Sequence, residues 1–305
     1  MAQDDTLRRF VFERYPFRGQ LVHLGPAWAA MMEHHDYPAQ VRDTLGEAVA
    51  AAALLSSTLK FDGLLSLQLR GEGPMHLMLV ECTDGLAMRA VARFRDVPDT
   101  RDLRVLSGNG TLTVTVESGH AENRYQGIVP LTGASMSDCL RAYFEQSEQL
   151  PTRLWLRADG ASASGLLLQR LPVTARPAGV TESGAGGVAE HEIEDAWRRV
   201  QLVADTVKPQ ELADLEDREL LRRLFAEDDV RMFQAAPVFF RCRCSRERVG
   251  NMLRALGRDE VDSVLEEFGQ VEVRCEFCSR SYRFDVVDAT ALFAAGADAH
   301  RGGVH

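Results

Sequence analysis

No run of apolar residues in the sequence approaches the ~20 that a membrane-spanning helix needs. The opening Met1-Ala-Gln-Asp-Asp-Thr-Leu-Arg-Arg has early acids and no apolar stretch of signal-peptide length. The expected location is therefore cytoplasmic, with no membrane partner. Cationic excess is lacking too: Lys+Arg 35 against Asp+Glu 45 leaves a net charge of −10, which disfavours a general binder of nucleic acid or anionic lipid. Gly71-Glu-Gly73 and Gly108-Asn-Gly110 are glycine turns with no phosphate-loop lysine after them. His34-His35 has no serine, cysteine or carboxylate constellation to complete an acid–base site, so it reads as a surface helix end. Cysteine is scarce, six in 305 residues, and in a reducing cytosol clustered thiols serve metals or redox sensing rather than a permanent disulfide frame.

Four of the six stand as two close pairs, Cys242-Arg-Cys244 and Cys275-Glu-Phe-Cys278, with 30 residues between the pairs. Two knuckles brought face to face by a folded insert supply the tetrahedral thiolate set that suits one Zn²⁺. A site closed by four thiolates has no open position for water or substrate, which argues against a hydrolytic metalloenzyme. The segment from about Val238 onward is under 70 residues, a size whose core rarely supplies more than ~3–5 kcal/mol. Structural zinc contributes ~10–16 kcal/mol in finger-sized peptides, so the metal is expected to hold this segment together. Oxidation removes the ligands. Four cysteines allow three pairings; if each paired with its near neighbour, the loops would give only about 1.6 and 1.9 kcal/mol and would not tie the two halves together. Cys82 and Cys139 read as buried, inert thiols.

Phe240-Arg-Cys242-Arg-Cys244-Ser-Arg-Glu-Arg248, Asp259-Glu-Val-Asp-Ser-Val-Leu265, Cys275-Glu-Phe-Cys278 and Tyr282-Arg-Phe284 resemble the thirty-three-kilodalton heat-shock chaperonin family. So do Arg18-Gly-Gln-Leu-Val22, Leu59-Lys-Phe-Asp-Gly63, Gly71-Glu-Gly-Pro-Met75, Gly108-Asn-Gly110, Arg124-Tyr-Gln-Gly127 and the run from Tyr143 to Arg153. The resemblance implies a redox-regulated, ATP-independent holdase chaperone of the bacterial cytosol, inactive while reduced and zinc-bound. It implies that oxidants form disulfides, expel zinc and unfold a linker, and that the oxidised form dimerises and binds unfolding client proteins under stress. Carried over by position, it makes Cys242, Cys244, Cys275 and Cys278 the zinc ligands and redox centres. The disulfides it implies are Cys242–Cys244 and Cys275–Cys278.

The remaining patterns predict an α+β chain in three parts. Residues 1–174 form an N-terminal core with a largely antiparallel sheet and packed helices. Strands are expected at Arg18–Leu24, Leu64–Arg70, His76–Cys82, Ala87–Phe94, Thr111–Glu117, Tyr125–Leu131, Arg153–Ala158 and Gly165–Leu171. The alternation in Leu65–Arg70 and Thr111–Val116 suggests a sheet with one covered face. Helices are expected at Pro38–Leu59, apolar nearly all round and hence buried, and at Ser135–Gln146. Asn109-Gly110 supplies a tight turn.

Residues 175–235 are a linker, with Pro and Gly crowded into Pro172–Gly187 as a flexible connector. Ile193, Trp197, Val200 and Ala204 then recur at helical spacing, and short helices follow at Pro209–Leu215 and Asp217–Phe225. Such amphipathic helices are expected to lay an apolar stripe on the first domain's sheet. Residues 236–305 form a small C-terminal zinc domain. Ser245 caps a helix to about Leu256, a second helix carries Val261, Val264, Leu265 and Phe268, strands run Val271–Cys275 and Tyr282–Asp285, and the tail from Ala294 is loose, with His300 and His305 solvated.

Two rival readings exist. In one, a zinc-ribbon adaptor or RNA-binding regulator carries a purely structural metal, but ten arginines facing nine acids across residues 231–285 make no basic face. In the other, Cys275-Glu-Phe-Cys278 is a disulfide oxidoreductase centre, but the motif follows a short strand rather than opening a helix in a thioredoxin-like βαβ pattern.

Overall fold

In the computed structural model the described residues are 5–59, 61–118, 124–172 and 188–299. The connector at 173–187 and the histidines at 300 and 305 lie outside them. The chain divides into two compact units, Met1–Arg241 and Cys242–His305.

The first unit runs β1 (Thr6–Phe12), β2 (Phe17–Leu24), α1 (Pro26–Met32), α2 (Ala39–Thr58), β3 (Gly63–Arg70), β4 (Met75–Thr83), β5 (Ala87–Phe94) and α3 (Leu103–Ser107). It continues with β6 (Thr111–Ser118), β7 (Arg124–Pro130), α4 (Met136–Tyr143), β8 (Thr152–Ala158) and β9 (Ala163–Arg170). Then come α5 (Glu190–Ala204), α6 (Pro209–Asp214), α7 (Asp217–Leu224), β10 (Val230–Met232), β11 (Ala236–Pro237) and β12 (Phe239–Phe240).

The sequence led us to expect one sheet; there are two. One is ordered β10-β1-β2-β9-β8, with β11 also on β1, and the other β12-β5-β4-β3-β6-β7. Apart from β12, which runs parallel to β5, the pairings are antiparallel. Both sheets pack on α2, which explains why that helix is apolar all round: Val41, Leu45, Ala48, Val49, Leu54 and Leu55 are fully buried. Small residues let the layers close. A Cβ on Gly46 would lie 2.4 Å from the Ala158 methyl carbon, so β8 approaches α2 closer than any side chain permits. The helix expected to reach Gln146 stops at Tyr143 and widens into one π-helical turn at Phe144–Glu148.

The second face of the β1-β2-β9-β8 sheet, expected to be covered by the linker helices, is covered by them. Alternation puts Phe10, Phe12, Phe17, Leu21, Leu166 and Leu168 on that face, and all six are buried under α5–α7. Trp197 of α5 packs at a tilt 5.2 Å from Phe17, and Phe225 just past α7 lies 5.1 Å from Phe12, ring centre to ring centre. Phe10 lies over Gly19, its cross-strand partner, where a Cβ would come 2.1 Å from the ring.

The second unit comprises α8 (Arg246–Leu256), α9 (Arg258–Phe268), β13 (Val271–Arg274), β14 (Ser281–Phe284) and α10 (Val286–Ala299). Its small core joins Val249, Leu253, Val261, Leu265, Tyr282 and Phe284. The tail expected to be loose from Ala294 is helical through Ala299. The apolar spacing of α10 lays Ala289, Leu292 and Phe293 on this core, and Arg254 Nε donates to the Leu292 carbonyl at 3.0 Å.

Candidate metal centre

The first cysteine pair sits in the loop that leads into α8. Ser245 follows Cys244 directly and caps α8, its hydroxyl accepting from the Arg248 amide at 3.2 Å, so the helix start fixes the end of the knuckle. The Arg248 guanidinium returns to the Arg243 carbonyl at 2.9 Å and ties down the residue between the two thiols. The second pair sits in the loop of the β13–β14 hairpin. There the Cys275 amide donates to Arg280 O at 2.9 Å, the Ser279 amide donates to Cys275 O at 2.7 Å, and Ser279 takes a left-handed φ of 53°.

These two loops bring the sulfurs of Cys242, Cys244, Cys275 and Cys278 within 4.8 Å of one another, each residue half-buried. Between the knuckles the sulfurs stand 3.6 Å apart for Cys242–Cys275 and 3.4 Å for Cys244–Cys278. Four thiolates around a tetrahedral ion at ~2.3 Å would stand about 3.8 Å apart, so spacing and donor chemistry both fit Zn²⁺. All four residues picked from sequence therefore converge. Cys82 and Cys139 lie elsewhere, buried, and burial pushes the Cys82 thiol up to about 12.

Sequence reading missed the groups around the sulfurs. The Tyr282 hydroxyl donates to Cys244 Sγ at 3.0 Å, an outer-shell contact that orients one ligand. Burial alone would raise the Cys244 thiol, but hydrogen bonds from Tyr282 and Cys278 outweigh it and bring it down to about 7. Burial, reinforced by the neighbouring sulfurs, holds Cys278 up at about 12 and raises Cys242 as well. One thiolate is thus favoured while Cys242 and Cys278 resist further charge, which is the electrostatic problem a divalent cation solves. Arg246 lies 4.2 Å above the Phe284 ring, pairs with Asp288 at 2.7 Å and donates to the Arg283 carbonyl, locking α8 to the hairpin and α10.

The family model described as Hsp33 protein matches residues 5–285. Among similar proteins, a 33 kDa chaperonin of Methylobacillus flagellatus is 42% identical over 294 residues, covering 96% of each chain. One of Nitrosococcus oceani is 45% identical over 294 residues with the same coverage. The crystal structure of a 33 kDa chaperonin from Thermotoga maritima superposes with a TM-score of 0.80 at 20% identity, over 96% of this chain and 99% of that one, which speaks for the fold. With a family match across nearly its whole length and relatives above 40% identity, the chain belongs to the Hsp33 family of chaperones.

Proposed function

We propose that the protein is a redox-gated, ATP-independent holdase: closed while its four thiols are reduced and hold Zn²⁺, open to unfolding proteins once they are oxidised. The functional division is a core (1–174), a linker (175–235) and a switch domain (236–305). The oxidised form dimerises and acts in the bacterial cytoplasm. The observation that carries this reading is the cover of α5–α7 over the six apolar side chains of the β1-β2-β9-β8 sheet. Large apolar faces bind partners when bared, and here the cover belongs to the same chain.

Cys242, Cys244, Cys275 and Cys278 would hold the metal. When bound, Zn²⁺ keeps four sulfurs deprotonated in one place and crosslinks two loops that otherwise share only a small core. Tyr282 orients Cys244 by hydrogen bond, and Ser245 and Arg248 hold the first knuckle. In the oxidative step a thiolate attacks a two-electron oxidant such as a peroxide. It becomes a sulfenic acid as the oxidant is reduced, and the partner thiol then displaces the hydroxyl as water to form the disulfide. Two such events, four electrons in all, give Cys242–Cys244 and Cys275–Cys278. Neither bond joins the two knuckles, so the second unit loses its crosslink.

Residues 225–241 run on from α7 to the first cysteine; the short strands β10, β11 and β12, the ion pairs Arg199–Asp228 and Arg231–Glu13, and buried Phe225 and Val238 hold them to the first unit. Melting beyond them withdraws an anchor from helices that depend on docking. The test follows zinc release and suppression of aggregation of a heat-unfolding client in one sample as peroxide is added. The two are expected to rise together; zinc release without any suppression would end this reading.

A further inference from the structure

The four long strands of the covered sheet, β1, β2, β8 and β9, contain six arginines and neither Asp nor Glu, in a chain whose net charge is −10. Alternation puts Arg8, His23, Arg153, Arg157 and Arg170 on the face that α5–α7 cover, and all but Arg157 meet a polar group of those helices. Arg170 pairs with Glu190 and Glu194 of α5. Arg8 Nε lies 2.5 Å and His23 Nε2 3.0 Å from the Asp217 carboxylate at the start of α7. Arg153 donates to Gln201 Oε1 at 2.7 Å, and Trp155 Nε1 to Asp205 Oδ1 at 3.0 Å. Arg157 differs, because its partners Ser162 and Asp159 lie on its own hairpin. The acids that balance this face are therefore carried by the segment that covers it.

We infer that the uncovered face selects, among unfolding proteins, segments whose apolar side chains are flanked by Asp or Glu. This rests on the holdase reading, since the face must first be bared. Once α5–α7 leave, Phe10, Phe12, Phe17, Leu21, Leu166 and Leu168 form an apolar floor. Arg8, Arg153 and Arg170 then stand at its margins with their α5–α7 partners gone, Arg8 keeping its bond to the Phe233 carbonyl. The departing helices are the template of what fits: an apolar stripe bordered by carboxylates. A segment bordered by lysines meets like charge at both ends, so the margin discriminates by repulsion as well as attraction.

The experiment uses full-length, oxidised, zinc-depleted protein and three short fluorescent peptides with one shared Leu/Phe core, flanked by Glu, Ser or Lys. Anisotropy is expected to rank them Glu, Ser, Lys. The gap between the extremes should be about tenfold at low salt, the sum of a few exposed pairs. It should close as salt rises from about 50 to about 500 mM. R8Q/R153Q/R170Q should narrow the gap, and R9Q, on the opposite face of β1, should keep it. Equal or reversed affinities in protein that binds the Ser-flanked peptide would overturn the inference while leaving the holdase reading standing. Failure to bind any peptide, with hydrogen exchange across residues 190–224 unchanged by oxidation, would overturn both.

Discussion

Glu47 is a carboxylate placed where charge is costly. It lies one turn after Asp43 on α2 and lines a cavity of about 370 Å³ with Arg101, Leu103 and Met136. Asp43 is neutralised by Arg42 and Arg101, whereas burial raises Glu47 to about 7 against the weaker pull of Arg101. A folded-state value above the unfolded one means that its favourable contribution is complete below about pH 4.5 and is lost as pH rises through 7. Glu47→Gln should therefore stabilise the protein by about 1–3 kcal/mol at pH 8 and hardly at pH 4, read as the difference in thermal unfolding between variant and parent. Equal effects at both pH values would show that Glu47 is not protonated in the fold. A second single-atom test concerns Tyr282. Removing its hydroxyl in Tyr282→Phe takes the donor from Cys244 Sγ while the ring still packs with Val273 and Phe284. Loss of an outer-shell donor typically weakens metal binding by about 10–100-fold, so a chromogenic chelator should strip the variant at correspondingly lower concentration. Unchanged competition would reduce Tyr282 to a packing residue.

Among the elements, α7 is pinned by charge at a part-buried site. Burial alone would raise Asp217, but the His23 imidazole 3.0 Å away and the hydrogen bond from Arg8 outweigh it and hold the carboxyl below its usual range. Asp217→Asn leaves Arg8 and His23 facing a neutral group in a part-buried site, a loss of about 1–3 kcal/mol. In reduced, metal-loaded protein the amides of α7 should then exchange about 10–100-fold faster, with α2 unaffected; unchanged exchange would remove Asp217 from the hold on the linker. No sequence pattern marked this residue, since an acid in the first turn of a helix is ordinary and its partners lie more than 190 positions away. The long elements were legible because their periodicity is strong: α2, α5 and the strands β3–β9 all stand where alternation or helical spacing placed them. Division into two sheets was not legible, because a strand's hydrophobic pattern names the buried face and not the neighbour that buries it. The strands β10–β12 are two or three residues long, too short to carry a period. Helix α10 was missed because Ala and Gly near the end of the chain read as loose until Leu292 and Phe293 find a core. The cysteines were legible at once, since metal-ligand spacing is local within each knuckle.

At the scale of the molecule, the two units rest on different physics. The first encloses α2 between two sheets and adds a second apolar layer under α5–α7, so its stability comes from burial at about 1.5–3 kcal/mol per large side chain against the entropy of ordering. The second has a core of a few side chains around Val249, Leu265 and Phe284 and two cysteine loops without a covalent tie. Fewer than 70 residues so arranged supply ~3–5 kcal/mol, less than structural zinc contributes by itself. Chelation of the reduced protein at neutral pH should consequently abolish amide protection across α8, α9 and the β13–β14 hairpin while the β3–β6 strands stay protected. Calorimetry should show one transition lost rather than the whole curve shifted. The chelated protein also separates metal loss from disulfide formation. If α5–α7 respond to the melting of the second unit, chelation alone should raise their exchange; if they need the disulfides themselves, it should not. Full protection of residues 246–284 after complete metal removal would mean that the small core suffices, and the centre could then not act as the switch.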